Sequence, residues 1–128
     1  MQIFFLDAIY KQVKISEAKS IMAELTKGVE KKELTKKLSN IERKKDISLE
    51  LIDKDYNIIY MGINSKFFSE SYSDGEVYLL WRITEKHNGE FLRYDKSNTG
   101  PISQIFYTKI ISDGKYLAVI RSQVTPVD

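Results

Sequence analysis

Around residue 46 the hydrophobic period of this chain changes from that of a helix to that of a strand, and this one switch narrows the folds open to it. Upstream, apolar side chains recur three or four residues apart. Downstream, DISLELI alternates Ile47, Leu49 and Leu51 with Ser48 and Glu50, the two-residue period of a strand. The run NIIYM follows the turn-rich tetrapeptide Asp53-Lys54-Asp55-Tyr56, so LELIDKDYNIIYMG reads as a hairpin entered from a helix.

The helical part has two pieces. From Phe4 to about Lys27 there is neither Pro nor Gly, and Leu6, Ile9 and Val13, then Ile15, Ala18, Met22 and Leu25, keep helical spacing. The stripe rotates between Val13 and Ile15, so one helix presents two successive faces. Its roughly 24 residues make a rod of about 36 Å. Gly28 suits the C-terminal cap. A second helix is expected over residues 30–44, with Leu34, Leu38 and Ile41 on one side.

After the hairpin, GINSKFFSESYSDG reads as loop with at most a turn of helix. Asp74 can cap a helix over residues 76–86 that carries Val77, Leu80, Trp81 and Ile83 and closes at Asn88-Gly89. Three strands are expected next: EFLRYD, ISQIFYTKII and KYLAVIRSQV. Asp113-Gly114 is a two-residue hairpin signal and sets a register pairing Lys109 with Ala118, Tyr107 with Ile120 and Phe106 with Arg121. One face then holds Ile105, Tyr107, Lys109, Ile111, Tyr116, Ala118 and Ile120; the other holds Phe106, Thr108, Ile110, Leu117, Val119 and Arg121. Both are largely apolar, so both require cover.

These elements predict an α+β fold: a five-stranded antiparallel sheet with the long N-terminal helix on one face and the helical and loop insertion 62–89 on the other. At 128 residues, 42% hydrophobic and 30% charged, the chain is one globular domain, with N-terminal helices over 1–45 and the sheet with its insertion over 46–128. No repeat or linker divides it. Having no cysteine, it has no disulfide framework, thiolate nucleophile or Cys-based zinc site.

Charge is uneven. Residues 1–45 hold 11 Lys and Arg against 6 Asp and Glu, while 46–128 hold 9 against 12. The basic residues are mostly Lys interleaved with Glu around an apolar stripe, a solvated helix face and not a nucleic-acid footprint. No apolar run reaches the ~18–20 residues that span a bilayer.

The chemical candidates are few. His87 is the single histidine, with no second ligand at helical spacing; beside Asn88-Gly89 it reads as a helix C-terminus, and no metal is expected. Asp53-Lys54-Asp55 lacks the Gly and distal Glu of a calcium loop. With no activated nucleophile, paired acid and base or phosphate-cradling loop, the chain is not expected to be an enzyme, nor to carry a cofactor. For a ligand, Lys109 lies mid-strand between Tyr107 and Ile111 and opposite small Ala118, and Trp81, Arg82, Arg93 and Tyr94 are expected to approach the same face. A different function falls to Ile15, Ala18, Met22 and Leu25, whose spacing suits either a partner helix across a two-fold axis or the chain's own sheet.

The element order, with LELIDKDYNIIY as central hairpin and DGKYLAVIRSQVTPVD as closing strand, resembles the PAS-like (Cache or PDC type) extracytoplasmic sensor domains of bacterial membrane receptors, above all sensor histidine kinases. The resemblance covers nearly the whole chain and is one of pattern. It implies a position between two transmembrane helices on the outer side of the bacterial cell membrane, with MQIFFLDAIYKQVKISEAKS entering from one span and YLAVIRSQVTPVD returning toward the other. It further implies a homodimer paired through the N-terminal helix and a small molecule recognised between the sheet and its front cover. Amino-acid-binding members carry a spaced Tyr, Arg, Trp and Asp signature; Tyr78, Trp81 and Arg82 are crowded on one helix in another order, so an amino-acid ligand is not implied. The alternative is an intracellular PAS-like interaction module that docks a partner through its first helix.

Overall fold

The computed structural model describes residues 2–27, 31–44, 47–62, 74–95 and 103–124. In chain order they form α1 (Gln2–Thr26), α2 (Lys31–Lys44), β1 (Ile47–Asp53), β2 (Ile58–Met61), α3 (Asp74–Lys86), β3 (Glu90–Asp95), β4 (Ser103–Ile111) and β5 (Tyr116–Val124). The five strands make one antiparallel sheet in the order β2-β1-β5-β4-β3. With helices on both sides this is the expected α+β arrangement of a five-stranded antiparallel sheet. The expected cap at Gly28 and the loop of residues 63–73 lie outside the described residues. Among the described residues no helix is long and apolar enough to cross a membrane.

Two turns set the register. In the β4–β5 turn Ser112, Asp113 and Gly114 all have positive φ (55°, 55° and 84°), the left-handed geometry that matches hairpin twist. The resulting pairs Lys109–Ala118, Tyr107–Ile120 and Phe106–Arg121 are those the Asp-Gly signal predicts. In the β1–β2 turn the carboxylate of Asp53 accepts hydrogen bonds from the amides of Asp55 (3.0 Å) and Asn57 (2.9 Å), while the amide of Tyr56 donates to the Asp53 carbonyl. That mesh holds Tyr56 at φ 67°, costly for a bulky side chain.

The back of the sheet packs on α1 and α2. Ala18, Ile21, Met22 and Leu25 of α1, with Leu34 and Leu38 of α2, close over Ile47, Leu49, Leu51, Tyr107, Ile111, Ala118 and Ile120. This decides between the two uses open to the α1 stripe: Ala18, Met22 and Leu25 are completely withdrawn into the chain's own core and Ile15 is half-buried. As a dimer face Ala18, Met22 and Leu25 are therefore corrected, because burial on the sheet already uses their apolar surface, whereas Ile15 lies outside that core. The earlier stripe behaves differently, with Ile9 44% and Val13 53% exposed. The rotation near Ser16 separates a solvent-facing segment from a core-facing one.

The front packs on α3. Val77 and Trp81 join Ile52, Phe106, Leu117 and Val119 in a second core. α3 ends on Asn88 (φ 60°) and Gly89 (φ 87°), whose turn returns the Gly89 amide to the Thr84 carbonyl at 2.9 Å. The Gly89 carbonyl then accepts from the Ile110 amide at 2.8 Å, so the helix cap is tied into β4.

Candidate functional site

Because side chains alternate along each strand, the register decides which residues share the front. Arg93, Phe106, Arg121 and Ser48 are successive cross-strand partners on β3, β4, β5 and β1, so they form one row across the sheet. Glu50 lies one step diagonally from Arg121. The Phe106 ring lies between two guanidinium groups, those of Arg93 and Arg121, each with its Cζ 5.2 Å from the ring centroid, within cation–π range.

This row is charged, open to water at Arg93, which is exposed, and dry further in. Glu50 is fully buried, Ser48 nearly so, and Arg121 is 6% exposed. Arg121 Nη1 lies 3.8 Å from Glu50 Oε1, a loose pair for two groups taken out of water. Burial pushes the Glu50 carboxyl up to about 7, with the Arg121 charge opposing the shift. Burial likewise lowers the Arg121 pKa, against the Glu50 charge that raises it. Around neutral pH the carboxyl is thus close to half protonated, and the row's net charge responds to any ion brought near it.

At the other end of the front an open cleft of about 310 Å³ is lined by Lys54, Tyr56, Trp81, Glu85, Ile110 and Gly114. The Tyr56 ring meets Trp81 at 72° with centroids 6.5 Å apart and Tyr78 at 82° and 5.5 Å. Trp81 is 6% exposed, and its indole Nε1 is buried with no hydrogen-bond partner among the described residues, a state that costs about 1–3 kcal/mol.

The six residues proposed from sequence do not converge. Trp81 and Arg93 are on the front. Tyr94, Tyr107 and Lys109 are on the back: Lys11 of α1 lies over the Tyr94 ring at 4.5 Å, and Tyr107 is buried in the core beneath α1 and α2. The Tyr107 hydroxyl donates to the Glu90 carboxylate; burial, that hydrogen bond and the carboxylate charge all raise its pKa. Lys109 is half-buried rather than enclosed, and Arg82 is exposed on α3. The expectation that Trp81 and Arg93 approach the Lys109 face is corrected by the β3–β4 register, which sets Arg93 opposite Phe106 and Glu90 opposite Lys109.

No family model matches the chain, and no curated protein matches it. Among solved structures it is similar to a sensory box sensor histidine kinase from Vibrio cholerae, at 14% sequence identity and a TM-score of 0.47, over 69% of this chain and 87% of that one.

Sequence reasoning missed Glu50 and Arg121 as a site. Each alternates with apolar neighbours and so reads as solvent-facing. The available signal was the covered front: once both faces need cover, a charge in mid-strand is a buried charge. His87 donates from Nδ1 to the Ile83 carbonyl at 2.8 Å, an interaction of the helix end. Among the described residues no group of three His, Cys, Asp or Glu could hold a metal ion.

Proposed function

We propose that this chain is the signal-sensing domain of a bacterial sensor histidine kinase, of the extracytoplasmic PAS-like type, and that it senses a small anion at the polar row of its sheet. The observation that carries this reading is the buried Phe106, Arg121 and Glu50, with the exposed guanidinium of Arg93 on the solvent side of the same row. A domain core gains little from such charges, since well-packed apolar residues of similar volume are often as stabilising or more so. The guanidinium groups of Arg93 and Arg121 on either side of Phe106 offer planar N–H donors suited to a negatively charged ligand.

The route out of the site follows from the same strands. Phe106 and Arg121 face the front, whereas their neighbours Tyr107 and Ile120 face back into the core beneath α1. A ligand that favours one spacing of β4 and β5 therefore favours one seating of α1, and its effect is limited to its differential affinity for the two arrangements. A dimer in this reading pairs through Ile9 and Val13, the exposed part of α1.

The test is a thermal-shift screen of small organic and inorganic anions. A binding anion raises the melting temperature by mass action, and Arg121→Met abolishes that rise; a screen without any shift rejects the anion reading. Location is tested separately. The chain lacks cysteine, so Asp55→Cys adds one exposed thiol to this domain, and labelling of the full gene product is compared with and without that substitution. Labelling by an impermeant maleimide in intact cells supports the extracytoplasmic reading. Protection supports the intracellular module, for which the exposed Ile9 and Val13 offer the docking surface.

A further inference from the structure

The open cleft at the other end of the front has a lining whose chemistry differs from that of the polar row. Ile110, which lines the cleft, stands four residues along β4 from Phe106, a separation of roughly 13 Å. The two sites do not share a lining residue, and the inference is independent of the receptor reading.

Three observations define what the cleft takes. It has two charges of opposite sign, Lys54 on the β1–β2 turn and Glu85 on α3, with no ion pair between them among the described residues. Lys54 is instead carried toward the β4–β5 turn, where its Cε lies 4.0 Å from the position a Cβ on Gly114 would take. Second, the exposed Tyr56 ring meets the nearly buried Trp81 edge to face at 72°, so one wall of the cleft is aromatic and attracts a cation through its ring quadrupoles. Third, Tyr56 is held there in left-handed backbone geometry by the Asp53 hydrogen bonds. Strain of this kind persists where the surroundings over-determine it, and it clusters at ligand clamps.

The cation end discriminates further. A primary ammonium brings three N–H donors whose water must be replaced or kept on binding, and Glu85 is the one carboxylate among the lining residues. A fully alkylated ammonium has no donor to satisfy and draws its stabilisation from the aromatic wall. We infer that the cleft binds a betaine-type zwitterion, its alkylated ammonium between Tyr56, Trp81 and Glu85 and its carboxylate toward Lys54.

The chain has one tryptophan, and it lines this cleft, so selective excitation of the indole reports on the site directly. The 128-residue chain is titrated with ω-trimethylammonio carboxylates of increasing length, with ω-amino acids of matching length, and with tetramethylammonium and acetate. The expected result is a saturable change in Trp81 emission with at least one betaine, bound about tenfold more tightly than its primary-amine counterpart and than either single-charge fragment. Glu85→Gln and Lys54→Met, both at exposed positions, each weaken it by a similar factor. Tyr56→Gly, which suits the left-handed backbone and so leaves the fold intact by circular dichroism, abolishes it. No saturable change with any betaine, equal binding of the matching ω-amino acids, or unchanged affinity in both charge variants overturns the inference.

Discussion

The hydroxyls of Thr84 on α3 and Thr108 on β4 lie 2.7 Å apart, both completely buried, and Thr108 is the donor between them. The assignment follows from a second bond: Thr84 Oγ1 is also 2.7 Å from the Leu80 carbonyl, which can only accept, so the single Thr84 proton is already committed. Removing the two hydroxyls therefore has unequal effects. Thr108→Val deletes one bond and leaves Thr84 still donating, a loss of about 1 kcal/mol. Thr84→Val strands the Thr108 proton in the core and costs about 1–3 kcal/mol. Urea denaturation of the two variants checks the order; Thr108→Val being the worse would reverse the donor assignment.

Stability should fall as pH rises through neutrality. The Glu50 pKa is raised from 4.5 to about 7 by burial, so folding favours the protonated carboxyl. Below the unfolded value the group is neutral in both states and its contribution is fully present. As pH climbs toward the folded value the unfolded chain ionises freely while the native state must hold a buried charge. The loss from this group is about 3 kcal/mol at most. Denaturation midpoints measured between about pH 5 and about pH 8 should show the decline, and Glu50→Gln should remove this group's share of it.

Along α1, the two stripes should respond oppositely to mutation. Met22 is fully enclosed by the sheet and α2, so Met22→Ala should cost about 2–5 kcal/mol. Val13 is 53% exposed, and Val13→Asp should change stability by under about 0.5 kcal/mol. Any association of the chain seen by sedimentation should weaken with Val13→Asp; association left unchanged would remove the first stripe from the proposed dimer.

Gly62 follows β2, and a Cβ built on it would overlap the carboxylate of Glu42 from α2. Its φ is not among the positive ones, so the obstacle to a side chain is this close approach and not the backbone. Gly62→Ala should destabilise by about 1–3 kcal/mol. Part of that loss should vanish when Glu42 is already alanine, a coupling that a double-mutant cycle reads directly.

The sheet was more legible than the site, and the difference has physical causes. Asp113-Gly114 placed two of the three left-handed residues of the β4–β5 turn, and alternation then carried the β4–β5 register outward to the assignment of each face. Arg93 had no such anchor, because the connection from β3 to β4 is longer and its register follows from sheet packing. Tyr56 carried no signal at all: nothing in Asp53-Lys54-Asp55-Tyr56 marks the aromatic as the left-handed residue, a position usually given to Gly or Asn. It adopts that geometry because the Asp53 carboxylate binds the turn amides around it. Glu50 and Arg121 were hidden by their own alternation, which resembles a wetted face until the far side of the sheet is known to be covered.

The strand order has one more consequence. The hairpin β1–β2 and the pair β3–β4 share no edge; each is joined to the other only through β5, which is paired on both sides along its length. During synthesis the two halves can thus each form early, but they cannot merge into one sheet until residues 116–124 have emerged from the ribosome. The nascent chain must carry two unclosed edges until its final strand arrives to seal them.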